Sequence, residues 1–467
     1  MSHVAVIDIG KTNAKLALVH RQTRNEIAVV TRPNRVIHTP PWPHFDVDGH
    51  WDFLLEGLAA FHASHGIDVI SVTTHGACAA LIGQDGALAA PILDYEHDGP
   101  DALADRYDAL RPAFSETGSP RLPMGLNLGA QLHWQFATNP ALLERTQAIV
   151  TYPQYWTYLL TGKLACDMSS LGCHTDLWIP YRGRFSSLVD SLGIANKIAP
   201  ARKPAEILGT LLPSIAVRTG LADTTPVICG IHDSNASLLP HLLRRTPPFS
   251  VVSTGTWVIA MTVGGSEAVL DPTRDALINV NAMGQPVPSA RYMGGREYEM
   301  ILGGRSAPFS EPDMIEVARN GPMLLPAVIP DSGPFQGYEL GWVGTEPALA
   351  SPVRGVAAGF YLAMMTSECL GVTAHQGPII VEGPMATNPS FCAMLANATG
   401  SPVHASKGIT GTSQGAALFG WRREQSCGPD GNATVHARKQ WAPQTLRGQV
   451  AQKRQAHEMT VPKVKNL

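Results

Sequence analysis

Val4-Ala-Val-Ile-Asp8-Ile-Gly-Lys-Thr-Asn13 opens the chain with an apolar run that breaks into a polar turn, and Leu16-Ala-Leu-Val19 resumes the run. Two apolar strands joined by a short polar turn with glycine at the bend predict a β-hairpin. The arrangement returns in Ser250-Val-Val-Ser-Thr-Gly-Thr-Trp-Val-Ile-Ala260, where Gly255 stands 245 residues after Gly10, about half of the 467-residue chain. A supersecondary unit repeated at that distance predicts two related domains facing one cleft. Residues 52–65 carry Phe53, Leu54, Leu58 and Phe61 at helical spacing, and Val69-Ile-Ser-Val-Thr73 follows as a strand ending at Thr74-His-Gly76. Strands alternating with helices indicate the α/β class. The stretch PHLLRRTPP at 240–248, with proline at both ends, reads as the connection between halves.

Composition narrows the function classes. Apolar residues make up 44% and charged residues 16%, which excludes a disordered chain. A net charge of −3, from 35 Lys+Arg against 38 Asp+Glu, gives no electrostatic reason to expect nucleic acid or an anionic membrane as partner. No run of about 18 apolar residues is evident for a bilayer span, and MSHVAVIDIG has neither the basic nor the apolar region of a secretory signal. Seven scattered cysteines without a C-x-x-C pair read as reduced thiols. The expectation is a soluble cytoplasmic protein. Past Cys427, seven Lys/Arg face Asp430 and Glu458, so 427–467 reads as a basic extension. A solvated appendage is the favoured reading of it, and an oligomer contact, as in a homodimer, is the other.

Motifs for P-loop, dinucleotide fingerprint and zincin chemistry are absent. Gly411-Thr-Ser413-Gln-Gly415 does satisfy G-x-S-x-G, but Ser406-Lys-Gly-Ile-Thr410 is a poor strand for a nucleophile elbow. Its triad partners would have to be Asp430 with His436 or His457. The two hairpin turns are more informative. Turns rich in Gly, Thr, Ser and Asn gather backbone N–H groups and hydroxyls into concavities that suit phosphate oxygens, with Lys11 and Lys15 adding charge beside the first. Asp8, at the end of a buried strand, suits a hydrated Mg²⁺. The plainer reading of each turn alone is an ordinary hairpin bend. In Val227-Ile-Cys-Gly-Ile-His-Asp233, strand and glycine turn lead to a carboxylate that either caps a helix or accepts a proton from a substrate hydroxyl. In Ile379-Ile-Val-Glu-Gly383-Pro-Met-Ala-Thr-Asn388-Pro389, Asn388 is a helix N-cap and Gly383 admits a flat ligand close to the backbone. His44, Asp46, Asp48 and His50 lack a metal-ligand spacing and read as a solvated loop, and Trp257 reads as a core residue.

Asp8-Ile-Gly-Lys-Thr-Asn, Gly230-Ile-His-Asp233, Ser253-Thr-Gly-Thr256 and Gly383-Pro-Met-Ala-x-Asn388, in this order, resemble the FGGY carbohydrate kinases. Thr74-His75-Gly76, Leu160-Thr-Gly162 with Asp167-x-Ser169, Arg354-Gly355 and the stretch 411–420 extend the resemblance over residues 4–421. It implies the two-domain actin/Hsp70/sugar-kinase fold, related to ribonuclease H, with the active site in the interdomain cleft. The implied domains are 1–243, with the first phosphate loop, the sugar face and the catalytic aspartate, and 244–426, with the second phosphate loop and adenosine site. The cofactors it implies are ATP and Mg²⁺. Asp8 resembles the metal-associated aspartate; Thr12, Asn13 and Lys15 the first phosphate loop; Thr254, Gly255 and Thr256 the second. Gly383 and Asn388 fall in the adenosine stretch, Gly411 in a loop closing on the nucleotide, and Asp233 at the general base. His75 and Gly76 match the sugar-facing histidine segment.

Departures fall on the sugar side. Where the family has Trp-x-Asp-x-Arg, this chain has Leu93-Asp94-Tyr95-Glu96-His97-Asp98, with Glu96 at the aspartate and the arginine lost. Asp94, Glu96 and His97 are all candidates to touch the substrate. Gln131 replaces a lysine and Gln154 an aspartate. The expected activity is ATP-dependent phosphorylation of a primary hydroxyl of a ketose: a deoxy-ketohexose such as L-fuculose or L-rhamnulose, or a pentulose such as xylulose or ribulose. Two other classes stay open: a nucleotide-dependent switch of the same fold, and a serine hydrolase using Ser413.

Overall fold

A computed structural model describes residues 3–406, 411–420 and 433–435. The basic extension read at 427–467, with Asp430, His436 and His457, lies outside the described residues apart from 433–435. The chain divides into two compact units, each described by itself. The first holds residues up to Arg244 and also takes in 278–286 and the described stretch 411–420, so a packed unit here is not one continuous segment.

Its sheet runs Ile207–Thr210, Pro226–Ile228, Val69–Thr74, His3–Ile9, Asn13–His20, Glu26–Pro33, with Ile231–His232 also paired to Val69–Thr74. His3–Ile9 is buried along its whole length. Strand alternation divides its side chains between two cores. Ala5, Ile7 and Ile9 enter a cluster with Leu54, Leu58 and Phe61 of the helix Val47–His65. Val4 and Val6 enter another, with Ala236 and Leu239 of the helix Asp233–Arg244 and with Ala416 and Ala417. Both faces are therefore covered, which is why the strand reads as a continuous apolar run. Asp8 has the parity of Val4 and Val6 and falls on the second face.

The first hairpin forms as its sequence predicts, with Asp8 opposite Lys15 and Ile9 opposite Ala14, and Gly10 N–H donating to the Asn13 carbonyl at 2.9 Å. The second unit repeats the plan. Phe249–Thr254 runs antiparallel to Val258–Val263 and parallel to Ile379–Glu382, as His3–Ile9 does to Asn13–His20 and Val69–Thr74. Ser253 occupies the place of Asp8, opposite Glu382 as Asp8 is opposite Thr73. The second turn is one residue tighter: pairing ends at Thr254 and Val258, and Gly255 N–H reaches the Trp257 carbonyl at 2.9 Å.

Four expectations need correction. The helix begins at Val47, capped by Asp46 accepting from Gly49 N–H at 3.0 Å, so the His44-to-His50 run is no solvated loop. His50 is fully buried, its Nδ1 accepting from Arg32 at 2.8 Å and its Nε2–H donating to the side-chain Oδ1 of Asn34 at 2.8 Å. Pro240 is no break, because the helix Asp233–Arg244 runs through it. Trp257 is 36% exposed at the second turn, with the Arg291 guanidinium 4.9 Å from its ring centre. The helix Pro352–Val372 is long and apolar enough to cross a membrane, but 72% of its 18-residue apolar window is buried, as the core helix of the second unit.

Two outcomes follow for stability. A methyl at Gly415 would sit 1.9 Å from the Ala236 carbonyl oxygen, so Gly415→Ala is expected to destabilise by about 2 kcal/mol or more, read from the denaturant midpoint. Burial and the Arg32 charge push the His50 pKa down to about 4 from 6.5. The unfolded chain then binds the proton first as pH falls, so stability contributed above pH 6.5 is lost toward pH 4. The difference in unfolding free energy between wild type and His50→Gln should shrink across that window; a difference independent of pH would reject the assignment.

Candidate functional site

Asp8 sits where strand parity sends it, at the end of the central strand and facing the helices Asp233–Arg244 and Thr412–Ala417. Its Oδ2 accepts from the Ser413 hydroxyl at 2.7 Å and from the Thr412 hydroxyl. Burial raises its pKa, the two hydroxyls oppose the rise, and the Asp233 charge adds to it. Thr73, opposite Asp8 in the register, has a buried hydroxyl oxygen with no partner among the described residues. Two carboxylates that repel one another beside an orphaned oxygen fit a hydrated divalent cation, which takes one or two carboxylates and keeps several waters.

Asp233 owes its place to the neighbouring strand. Ile231 lies opposite Thr73 and His232 opposite Thr74, so the chain leaves the sheet at Asp233 and turns directly into the helix. The exit is held from behind. His232 N–H donates to Ser169 Oγ at 3.0 Å, and that hydroxyl donates to the Asp167 carboxylate. Gln154 donates to the carbonyls of Cys229 at 2.8 Å and Gly230 at 3.3 Å. Asp167-x-Ser169 and the substituted Gln154 are thus supports of the Asp233 turn. The carboxylate accepts from Ser234 N–H at 2.6 Å, and burial raises its pKa against the opposing influence of His75.

His75 is 5% exposed, in contact with the rings of Phe45, Tyr95 and Tyr152. Its Nδ1–H donates to the Gly76 carbonyl at 2.9 Å, and its buried Nε2 has no partner among the described residues. Burial pushes its pKa down to about 4, so near neutral pH Nε2 is an acceptor. Gly76 is required by packing: a methyl there would lie 2.7 Å from His232 Nε2. Burial likewise holds His232 neutral, with a pKa of about 4.

The first turn presents Thr12 and Asn13 to solvent, linked by an Asn13 Nδ2–H to Thr12 Oγ1 bond at 3.3 Å. Lys15 Nζ is engaged by Glu26 at 2.7 Å. Lys11, expected to add charge beside the phosphate-suited turn, instead reaches Asp94 and lies 3.1 Å from Glu96.

In the second unit, Gly255 and Thr256 are exposed at the tip of the turn, while Thr254 is buried. The Thr254 hydroxyl donates to the Glu382 carbonyl and accepts Met385 N–H at 3.1 Å, tying two strand ends together. Gly383 adopts φ +82°, and a methyl there would lie 1.9 Å from the Thr254 carbonyl oxygen. Its glycine is therefore demanded by Thr254, where the sequence suggested close approach of a ligand. Asn388 caps the helix Pro389–Thr399, accepting from Phe391 N–H at 3.1 Å. Gly411 is the N-cap of Thr412–Ala417.

That helix overturns the hydrolase reading. Ser413 is fully buried and its hydroxyl is committed to Asp8, so it is no exposed nucleophile. Thr73 and Thr412 are not among the expected site residues, and Ser413 is among them only as a hydrolase nucleophile, not as a partner of Asp8. Parity on Val69–Thr74 marks the first, but nothing local to 411–420 points to Asp8.

The pattern "FGGY family of carbohydrate kinases, N-terminal domain" matches residues 3–240, and "Carbohydrate kinase FGGY, C-terminal domain" matches 246–428. An L-fuculokinase of Escherichia coli K12 is 28% identical over 271 residues, covering 55% of this chain. The match spans only 56% of that relative's own length. A carbohydrate kinase from Novosphingobium aromaticivorans has a similar crystal structure, at TM-score 0.89 and 33% identity, covering 98% of this chain and 100% of that one. A xylulose kinase from Rhodospirillum rubrum shares the fold at TM-score 0.76 and 19% identity, over 98% of this chain and 100% of its own.

Gly383→Ala forces both a left-handed backbone and a clash, so its thermal midpoint should fall by several degrees, for a loss of about 2 kcal/mol or more. An unchanged midpoint would mean that the Thr254 contact is not tight.

Proposed function

The chain belongs to the FGGY family of carbohydrate kinases, and we propose that it transfers the γ-phosphoryl group of ATP to a primary hydroxyl of a ketose. The observation that carries this reading is the group at one end of the first unit's sheet: Asp233 at the strand exit, Asp8 whose pKa the Asp233 charge helps to raise, and His75 with an acceptor nitrogen that has no partner among the described residues.

Asp233 accepts the proton of the sugar hydroxyl. The oxygen then bonds to the γ-phosphorus as the bond from that phosphorus to the β–γ bridging oxygen breaks, releasing ADP. Such a transfer asks for positioning and charge neutralisation rather than covalent catalysis by the protein. A raised pKa suits Asp233 to this task, because a base nearer neutrality binds the departing proton more strongly. His75 Nε2 and Gly76 would orient the sugar, with Glu96 contributing from the 94–98 segment. Asp8 would hold Mg²⁺ through water, with Thr73 beside it; the ion would offset phosphate charge. Thr12, Asn13 and Lys15 are assigned to the first phosphate loop and Thr254, Gly255 and Thr256 to the second, with Gly383, Asn388 and Gly411 toward the adenosine. Residues 1–243 and 244–426 are taken as the two functional domains, in a soluble cytoplasmic enzyme.

The relationship to an L-fuculokinase leans the substrate toward the deoxy-ketohexose L-fuculose, ahead of L-rhamnulose, xylulose or ribulose. ADP release from MgATP should be stimulated by at least one of these sugars. Asp233→Ala should lower the stimulated rate by about a hundredfold or more. Slow ADP release that ignores every sugar and survives in Asp233→Ala would instead indicate a nucleotide-dependent switch.

A further inference from the structure

Lys11 stands in the turn whose composition suggests phosphate binding, yet its side chain is turned elsewhere. Its ammonium contacts the Asp94 carboxylate, lies 3.1 Å from Glu96 Oε2, and sits 4.6 Å from the ring centre of Tyr95 and 5.3 Å from that of Phe45. Those two rings are also neighbours of His75, at centroid distances of 5.2 and 5.1 Å. A lysine held by two carboxylates and two aromatic faces has its charge compensated where it lies, leaving little to offer a phosphate. The carboxylates in turn need it. Asp94 is buried, with a side chain only 7% exposed, while that of Glu96 is 57% exposed. Asp94 also organises the segment: its Oδ1 accepts Glu96 N–H at 3.2 Å and its carbonyl accepts His97 N–H at 2.9 Å. Without the ammonium, a buried carboxylate would be left beside a second like charge two residues away, at the cost such groups carry.

We propose that Lys11 is a positioning residue for the acceptor sugar: it clamps the 94–97 segment beside His75, supplying from the first turn the cation that this segment lacks in its own sequence. The proposal rests on the kinase reading for its functional half; the clamp itself does not. It separates Lys11 from its neighbours Thr12 and Asn13, which remain on the phosphate side. It also makes the first turn a joint between the two substrates, since one end of it bears on the sugar-facing segment.

Lys11→Met and Lys11→Arg decide the matter in two stages. Hydrogen exchange of the ligand-free protein comes first. The amides of Glu96 and His97 should exchange about tenfold faster in Lys11→Met and close to the wild-type rate in Lys11→Arg. Unchanged exchange in Lys11→Met overturns the clamp. Steady-state kinetics with the stimulating sugar come second. In Lys11→Met the KM for sugar should rise about tenfold while the KM for ATP stays within about twofold, with Lys11→Arg restoring most of the loss. A rise in the ATP constant alone, or equal losses in both, overturns the acceptor-side role. Should no sugar stimulate the wild type, the kinase reading fails separately. Calorimetric ATP binding then decides: weaker binding by Lys11→Met returns Lys11 to the phosphate side and overturns the proposal, and unchanged binding with loosened amides upholds the clamp.

Discussion

A buried carboxylate needs partners, and Asp8 finds them 404 and 405 residues downstream, in the hydroxyls of Thr412 and Ser413. Left alone at the end of an apolar strand, that charge would oppose folding by several kcal/mol, on the order expected for an uncompensated buried ion. The helix Thr412–Ala417 must therefore dock on the first unit although it lies in the second half of the sequence. Docking is close because Gly415 has no side chain to hold it off the Ala236 carbonyl. Ala236 belongs to the helix that starts at Asp233, so the contact that shelters Asp8 also braces the helix bearing the proposed base.

The two units repeat one backbone plan with different chemistry at equivalent places. Where the first has Asp8 at the strand end, the second has Ser253; where the first continues through Thr74, the second turns at Gly383. A carboxylate in the first unit repels a second carboxylate and favours a cation nearby. In the second, Ser253 puts no carboxylate at the place of Asp8, and the strand ends instead bring backbone close to backbone, with Thr254 and Gly383 in contact. Repetition thus supplies two scaffolds, and substitution at a few strand ends separates what each can bind.

Much of this was legible in the chain itself. Both hairpins, the strand Val69–Thr74, the Asn388 cap and the α/β alternation follow from periodicity and turn composition, which act over a few residues. Asp8 and Asp233 could be singled out from their places at strand ends, and His75 through the resemblance of Thr74-His75-Gly76 to the family's sugar-facing segment. The sugar-side departures were legible as departures, but not as structure. Gln154 reads as a lost aspartate, yet it holds the carbonyls of Cys229 and Gly230. The run from His44 to His50 reads as a loop because its polar residues conceal a capped helix start and a buried histidine bridging Arg32 and Asn34.

The sequence by itself determined the elements, their alternation and the residues that end them, because hydrogen bonding within a turn and side-chain parity along a strand are local. Tertiary structure alone decided which charges meet. It gave Lys15 to Glu26 and Lys11 to Asp94 and Glu96, made Ser413 a hydrogen-bond partner of Asp8 rather than a nucleophile, and left His75 Nε2 and the Thr73 hydroxyl without a partner among the described residues. Those outcomes depend on distances between segments far apart in the chain, and electrostatic and packing energies respond to distance in space rather than to separation along the backbone.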